Sequence, residues 1–271
     1  MTFADLLPMI GLLMASGAFA GLLAGMLGVG GGIVHVPAFF FVFNHLGYES
    51  DQLMQVCLAT SLAAIIVTAV RSVMAHNKRG AVDWSILRGW APGIAIGAIL
   101  GVFIAAKLRS EQLELIFAVV AALVGFYLAF GREHWRLGAE MPTGPARAVF
   151  SPSVGFLSVL MGIGGGSFGV PLMTLYSVPM HRAVATAAGF GVLIAVPSVL
   201  AFLLVPVVAA PPGTVGAVNL PAFVVAVSMT LLTAPLGASL AHAMDPVRLR
   251  RVFAAFILFV AANMLRQALW I

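Results

Sequence analysis

The sequence predicts an all-α integral membrane protein: two inverted repeats of about five apolar segments each, with Gly-broken helices at the repeat interface. Three observations predict it. Hydrophobic residues make up 62% of the chain and charged ones 8%, against roughly 25% charged in a soluble domain. Apolar stretches such as Leu115 to Phe130 run continuously, the pattern of a spanning helix rather than the alternation of a barrel strand. One unusual block also occurs twice. Gly28-Val29-Gly30-Gly31-Gly32 is followed five residues later by Pro37, and Gly162-Ile163-Gly164-Gly165-Gly166 by Pro171, at an offset of 134 residues.

The first half, residues 1–130, reads as apolar segments 6–28, 32–47, 53–75, 88–106 and 112–130. Segment 6–28 has no basic leader and ends in the first glycine block, so it is expected to be a mature helix rather than a cleaved signal. Segment 32–47 is short for a crossing, which suits a half-helix or a tilted element after a glycine hinge. Segment 53–75 carries Cys57, Thr60 and Ser61, and segment 88–106 follows the tetrad Gly80-Ala81-Val82-Asp83. Residues 131–147 are polar, with Pro142, Gly144 and Pro145, and read as a cytoplasmic linker. The second half, residues 148–271, reads as 148–162, 166–178, 183–206, 219–242 and 249–269. Here 166–178 is the short segment after the glycine block, and Gly216-Ala217-Val218-Asn219 precedes 219–242.

The halves match beyond their glycines. Ala59-Thr60 returns as Ala185-Thr186, while Gly101 and Gly237, Leu113 and Leu249, and Phe117 and Phe253 share an offset of 136. Five crossings per half invert the second half relative to the first. With both termini outside, the inner side holds Arg71, Lys78, Arg79, Arg88, Arg132, Arg136, Arg147, Arg182, Arg248, Arg250 and Arg251. The outer side keeps only Lys107, Arg109 and Arg266, as the positive-inside rule requires. The net charge of +5 therefore sets orientation, and nucleic acid is not an expected partner.

Glycine breaks at corresponding positions of two halves point to a transporter's binding site. A break exposes backbone N–H groups at the positive end of the next half-helix, a ready anion site that glycine lets an anion approach. The candidate binding residues are Gly30, Gly31, Gly32, Gly164, Gly165, Gly166 and Ser167. Glycines can instead serve only close helix packing; the repetition of a triple run with its proline favours a site. Thr60 and Thr186 could offer hydroxyls to the same cavity, or bond back to their own helices. His35 is the ionisable residue expected deepest in the membrane, either in a substrate or proton role or as a neutral structural group. Arg182, one turn before Thr186, could attract anions at an inner mouth. The single cysteine, Cys57, excludes an intramolecular disulfide and reads as core. No metal-ligand cluster, Walker motif or GxGxxG appears. All nine acidic residues fall near segment ends or in loops, which argues against carboxylate-based coupling.

The block from Gly21 to Gly32 with Pro37, its second copy from Gly155 to Pro171, and His76 to Trp84 resemble the signature of the TauE/SafE sulfite exporter family. The resemblance covers nearly the whole chain. It implies a bacterial-type inner-membrane permease, without cofactor, for sulfite or small organosulfur anions such as sulfonates. Members with different cargoes share the motif, and no family role is carried onto His35 or Phe168. The expected function is therefore export of a small oxyanion by alternating access, with the lipid bilayer as environment. An importer coupled to protons or sodium, or an anion channel, is the alternative. A membrane-embedded enzyme would want acid–base partners for His35, and an assembly factor a larger loop than 131–147.

Overall fold

The computed structural model describes residues 3–27, 31–48, 50–130, 136–243 and 246–269. Ten helices and one small hairpin follow in order. They are α1 (Phe3–Leu27), α2 (Gly32–His45), α3 (Leu53–Lys78), α4 (Trp84–Ala105), α5 (Ser110–Phe130), α6 (Gly144–Leu160), α7 (Gly166–Leu175) and α8 (Met180–Phe202), then strands β1 (Thr214–Val215) and β2 (Val218–Asn219), then α9 (Leu220–Ala243) and α10 (Pro246–Leu269).

Among the described residues, six stretches are long and apolar enough to cross a membrane: Leu53–Lys78, Trp84–Ala105, Ser110–Phe130, Met180–Phe202, Leu220–Gly237 and Arg251–Leu269. α2 and α7, with 14 and 10 residues, rise only about 21 and 15 Å at 1.5 Å per residue. Both fall short of a hydrocarbon core about 30 Å thick. The segments after the glycine blocks are therefore short helices, as the sequence suggested.

A capping carboxylate and a first-turn proline explain where two helices begin earlier than hydropathy alone indicated. α4 starts at Trp84 because the Asp83 carboxylate accepts from the N–H groups of Ser85 and Ile86. α6 starts at Gly144, with Thr143 as its N-cap residue and a proline in its first turn, which suits the opening of a helix. The linker thus gives up residues 144–147 to the helix that follows it.

α3 and α8 pack against each other at the centre. α2 lies on α3 and α7 on α8, while α1 pairs with α9, α4 with α6, and α5 with α10. Residues Leu53 to Ile65 of α3 are buried without a break. The α1–α9 and α4–α6 pairs meet through small residues: Gly21 lies against Thr230 of α9, and Gly155 against the Ile94 carbonyl of α4. Such close backbone approach is how helices associate where lipid removes the hydrophobic incentive. Large apolar side chains including Leu100, Phe103, Leu123, Phe126, Leu232 and Phe259 point outward, as lipid-facing residues do.

Candidate functional site

The two glycine blocks meet. Gly31 precedes α2 with φ 73°, a left-handed conformation that glycine takes without strain. Gly32 abuts the Gly162 carbonyl, Ile163 and Ile65, so tightly that a Cβ there would not fit. The Ser61 hydroxyl of α3 donates to the Gly162 carbonyl at 2.7 Å. Gly165 is wedged against Phe190, Ala187 and Gly191 of α8. Close packing, the plainer of the two roles open to these glycines, is thus a real part of what Gly32 and Gly165 do. Gly30 lies outside the described residues.

The breaks also leave donors without partners. Among the described residues, the N–H groups of Gly31, Gly32 and Ile33 before and within α2 find no acceptor. The same holds for Gly164, Gly165, Gly166 and Ser167 at the start of α7. These residues are buried, and buried backbone donors are rarely left unpaired. Ser167 adds a side-chain hydroxyl that is itself buried and without a hydrogen-bond partner, and so does Ser158 in the last turns of α6. Ser158 carried no signal in the sequence, because its counterpart in the first half is an alanine.

Thr60 and Thr186 each accept a hydrogen bond from the opposite half. Thr60 Oγ1 accepts the Asn219 N–H at 2.9 Å, and Thr186 Oγ1 accepts the Asp83 N–H at 2.9 Å. Each threonine therefore holds the residue that opens a long helix of the other half. Asn219 passes the bond on: its Oδ1 accepts from the Ala222 N–H, and its Nδ2 donates to the Pro212 carbonyl and to Thr214 Oγ1. Neither threonine hydroxyl hydrogen is directed to an acceptor among the described residues.

Arg182 is not a free cation at a mouth; its guanidinium lies 3.3 Å from the Asp83 carboxylate. Arg182 and Thr186, one turn apart on α8, grip the same residue. The Ser85 hydroxyl bonded to Asp83 is the main cause that holds its carboxyl below the usual carboxylate value, with backbone donors and Arg182 adding to it.

His35 is buried, stacks on Phe39, and its Nε2 lies 3.2 Å from Thr230 Oγ1 of α9. Its Nδ1 has no partner among the described residues. One acidic residue departs from the expectation that acids stay at the margins. Glu114, in the second turn of α5, is 1% exposed. A cavity of about 550 Å³ opens between the loops that carry Ser50, Gln52, Lys107, Arg109 and Val208; none of its lining residues belongs to a glycine block. Among the described residues no group of three or more His, Cys, Asp or Glu side chains could hold a metal ion.

A bundle of apolar helices, entered by two short helices that begin in buried glycine turns, is the architecture of a multi-pass membrane transporter rather than an enzyme. The chain belongs to the sulfite exporter TauE/SafE family, whose profile matches residues 13–264. It is 30% identical over 253 residues to a probable membrane transporter protein of Haemophilus influenzae, covering 92% of this chain and 95% of that one. Similar relatives are probable membrane transporter proteins of Bacillus subtilis, 29% identical over 65% of this chain and 71% of its own, and of Methanocaldococcus jannaschii, 25% identical over 73% and 74%. No solved structure matches the chain.

Proposed function

We propose that this transporter exports a small oxyanion, sulfite or a short organosulfonate, across the inner membrane by alternating access. The observation that carries the reading is the start of α7. Among the described residues, consecutive buried N–H groups from Gly164 to Ser167 and the Ser167 hydroxyl lack acceptors. That set of donors, at the positive end of a helix, suits the oxygens of a small anion. Gly31 and Gly32 offer the same kind of amide from α2. The hydroxyl hydrogens of Thr60 and Thr186, His35, and the positive charge of Arg182 complete the site in this reading.

The halves 1–130 and 148–271 act as inverted repeats around that site. In support, exchanging each helix for the one five places on turns the α1–α9 pairing into α6–α4 and the α2–α3 pairing into α7–α8. The Thr60–Asn219 bond likewise becomes Thr186–Asp83. The close-packed junction of Gly32 with Gly162 and Ile163 fits a closed conformer, from which rocking of one half opens a path to either side. With both termini outside, the arginine-rich loops face the cytoplasm. Export of an anion from a cell negative inside gains about 2.3 kcal/mol per charge per 100 mV.

The test is flux of sulfite, sulfate and a short sulfonate from proteoliposomes under an imposed membrane potential. Saturable sulfite or sulfonate flux supports the carrier. Current that rises linearly with anion concentration indicates a channel, and absence of flux for all three removes the oxyanion reading.

A further inference from the structure

A second buried polar cluster lies away from the glycine junction, between the outer turns of α3 and α5. Ser110, the first residue of α5, donates through Oγ to the Ser50 carbonyl and accepts the Met54 N–H at 3.0 Å. Its own N–H reaches the Asp51 carbonyl at 2.8 Å. Gln55 of α3 is fully buried and donates through Nε2 to the carbonyls of Ala105 and Leu108 in the α4–α5 turn. Glu114 follows Ser110 by one helical turn on α5, which packs against α3. Among the described residues, two buried oxygens in this cluster have no donor: Gln55 Oε1 and Glu114 Oε2.

An ionised carboxylate buried in a membrane protein with no cation or donor against it is among the costliest arrangements a chain can hold. Something must occupy the cluster's acceptors in part of the working cycle. A hard metal cation takes about six or more oxygen ligands, and the cluster has two to offer. A proton needs one. Carried by Glu114, it neutralises the charge and makes the carboxyl a donor.

Ser110 and Gln55 sit beside an opening. Ser50 and Leu108, whose carbonyls accept from Ser110 and Gln55, both line the cavity of about 550 Å³ that opens between the loops. The titratable groups nearest Glu114 by position are Glu111, three residues before it on α5, and Cys57 in the buried stretch of α3. Among the described residues, Glu114 forms no ion pair with α10 or α6; Arg266 of α10 donates to Asn263 instead.

We propose that Glu114 is a proton-binding site, filled through the cavity beside Ser50 and Leu108, and that its occupancy is linked to anion movement through α3. The linkage rests on the carrier reading above. α3 carries Gln55, Thr60 and Ser61, so a change at Glu114 is felt one turn from the bonds that join the halves. Proton coupling lets the carrier draw on a pH gradient as well as the membrane potential.

Two measurements test it. In infrared titration of the purified wild type, a protonated-carboxyl band present at neutral pH and absent in the E114Q variant is expected. Its absence from the wild type overturns the proton site, whatever the transport results. In proteoliposomes held at zero potential, methanesulfonate stays anionic at every pH used, so a pH gradient acts on the protein and not on the substrate. The wild type and E111Q, altered on the exposed face of the same helix, are expected to show pH-driven flux. E114Q is expected to lose that flux while anion counterflow continues. Counterflow without pH-driven flux in the wild type overturns the coupling and leaves the carrier intact. Loss of both fluxes together in E114Q makes Glu114 structural and overturns the proposal. Absence of counterflow in the wild type sinks the carrier and the linkage alike, and the infrared band then decides the proton site alone.

Discussion

Replacing Thr60 with valine removes one hydroxyl and keeps the shape of the side chain, so it isolates a single bond between the halves. Thr60 Oγ1 accepts the Asn219 N–H at 2.9 Å, and both residues are fully buried. Without the hydroxyl that N–H has no acceptor and no water. Leaving a buried donor unpaired costs about 1–3 kcal/mol, and burial of both partners places T60V in the upper part of that range. T186V removes the corresponding acceptor of the Asp83 N–H. Asp83 is only half-buried, water can replace the bond, and the cost falls to about 1 kcal/mol or less, near the net worth of an ordinary hydrogen bond. Reversible unfolding in mixed micelles measures both differences. The expected order is wild type, then T186V, then T60V as the least stable. Equal stability of the two variants, or no loss in T60V, would refute the argument that these bonds tie the halves unequally.

Other perturbations act on the same frame. G165A drives a methyl into Phe190 and the Ala187 carbonyl and should destabilise by about 1–3 kcal/mol, as overpacking does, read by thermal unfolding in detergent. S61A removes the donor to the Gly162 carbonyl; it should cost about 1–3 kcal/mol and slow flux by loosening the junction of the glycine blocks. The Asp83 carboxyl is held below its ordinary value, chiefly by the Ser85 hydroxyl. Its contribution is therefore fully present above the ordinary carboxylate value of about 3.9 and is lost as pH falls through the depressed folded value. D83N should flatten that acid limb and leave the neutral region unchanged in shape. The partly exposed Arg182 pairing adds only about 0–1 kcal/mol at neutral pH, checked by melting curves across the acid range.

The broad plan was legible because hydropathy and glycine breaks act locally. The continuous apolar runs became the ten helices, and the two triple-glycine blocks became the starts of α2 and α7. What was not legible depends on contacts across the fold. Thr60 and Thr186 stood out as a matched pair, yet their partners, Asn219 and Asp83, became evident only when the opposite half was in place. Arg182 read as a cation that could attract anions at an inner mouth, and its pairing with Asp83 was hidden because the sequence places the two about a hundred residues apart. Glu114 sits near the end of an apolar run, where an acid is normally at the membrane surface; packing of α5 against α3 is what buries it. Helix ends moved by a few residues where the Asp83 cap and the proline in the first turn of α6 set starts that hydropathy does not register.

Sulfite binding to the purified protein, compared between wild type and S167A by calorimetry, tests the central claim most directly. Ser167 Oγ has no partner among the described residues, so its loss breaks no bond among them. A hydrogen bond to a charged group contributes about 1.5–3 kcal/mol, which is roughly 10- to 100-fold in affinity. The account predicts saturable sulfite binding in the wild type that weakens by about that factor in S167A, with the melting temperature unchanged. Equal sulfite affinity in the two proteins would contradict it and move the anion away from the start of α7.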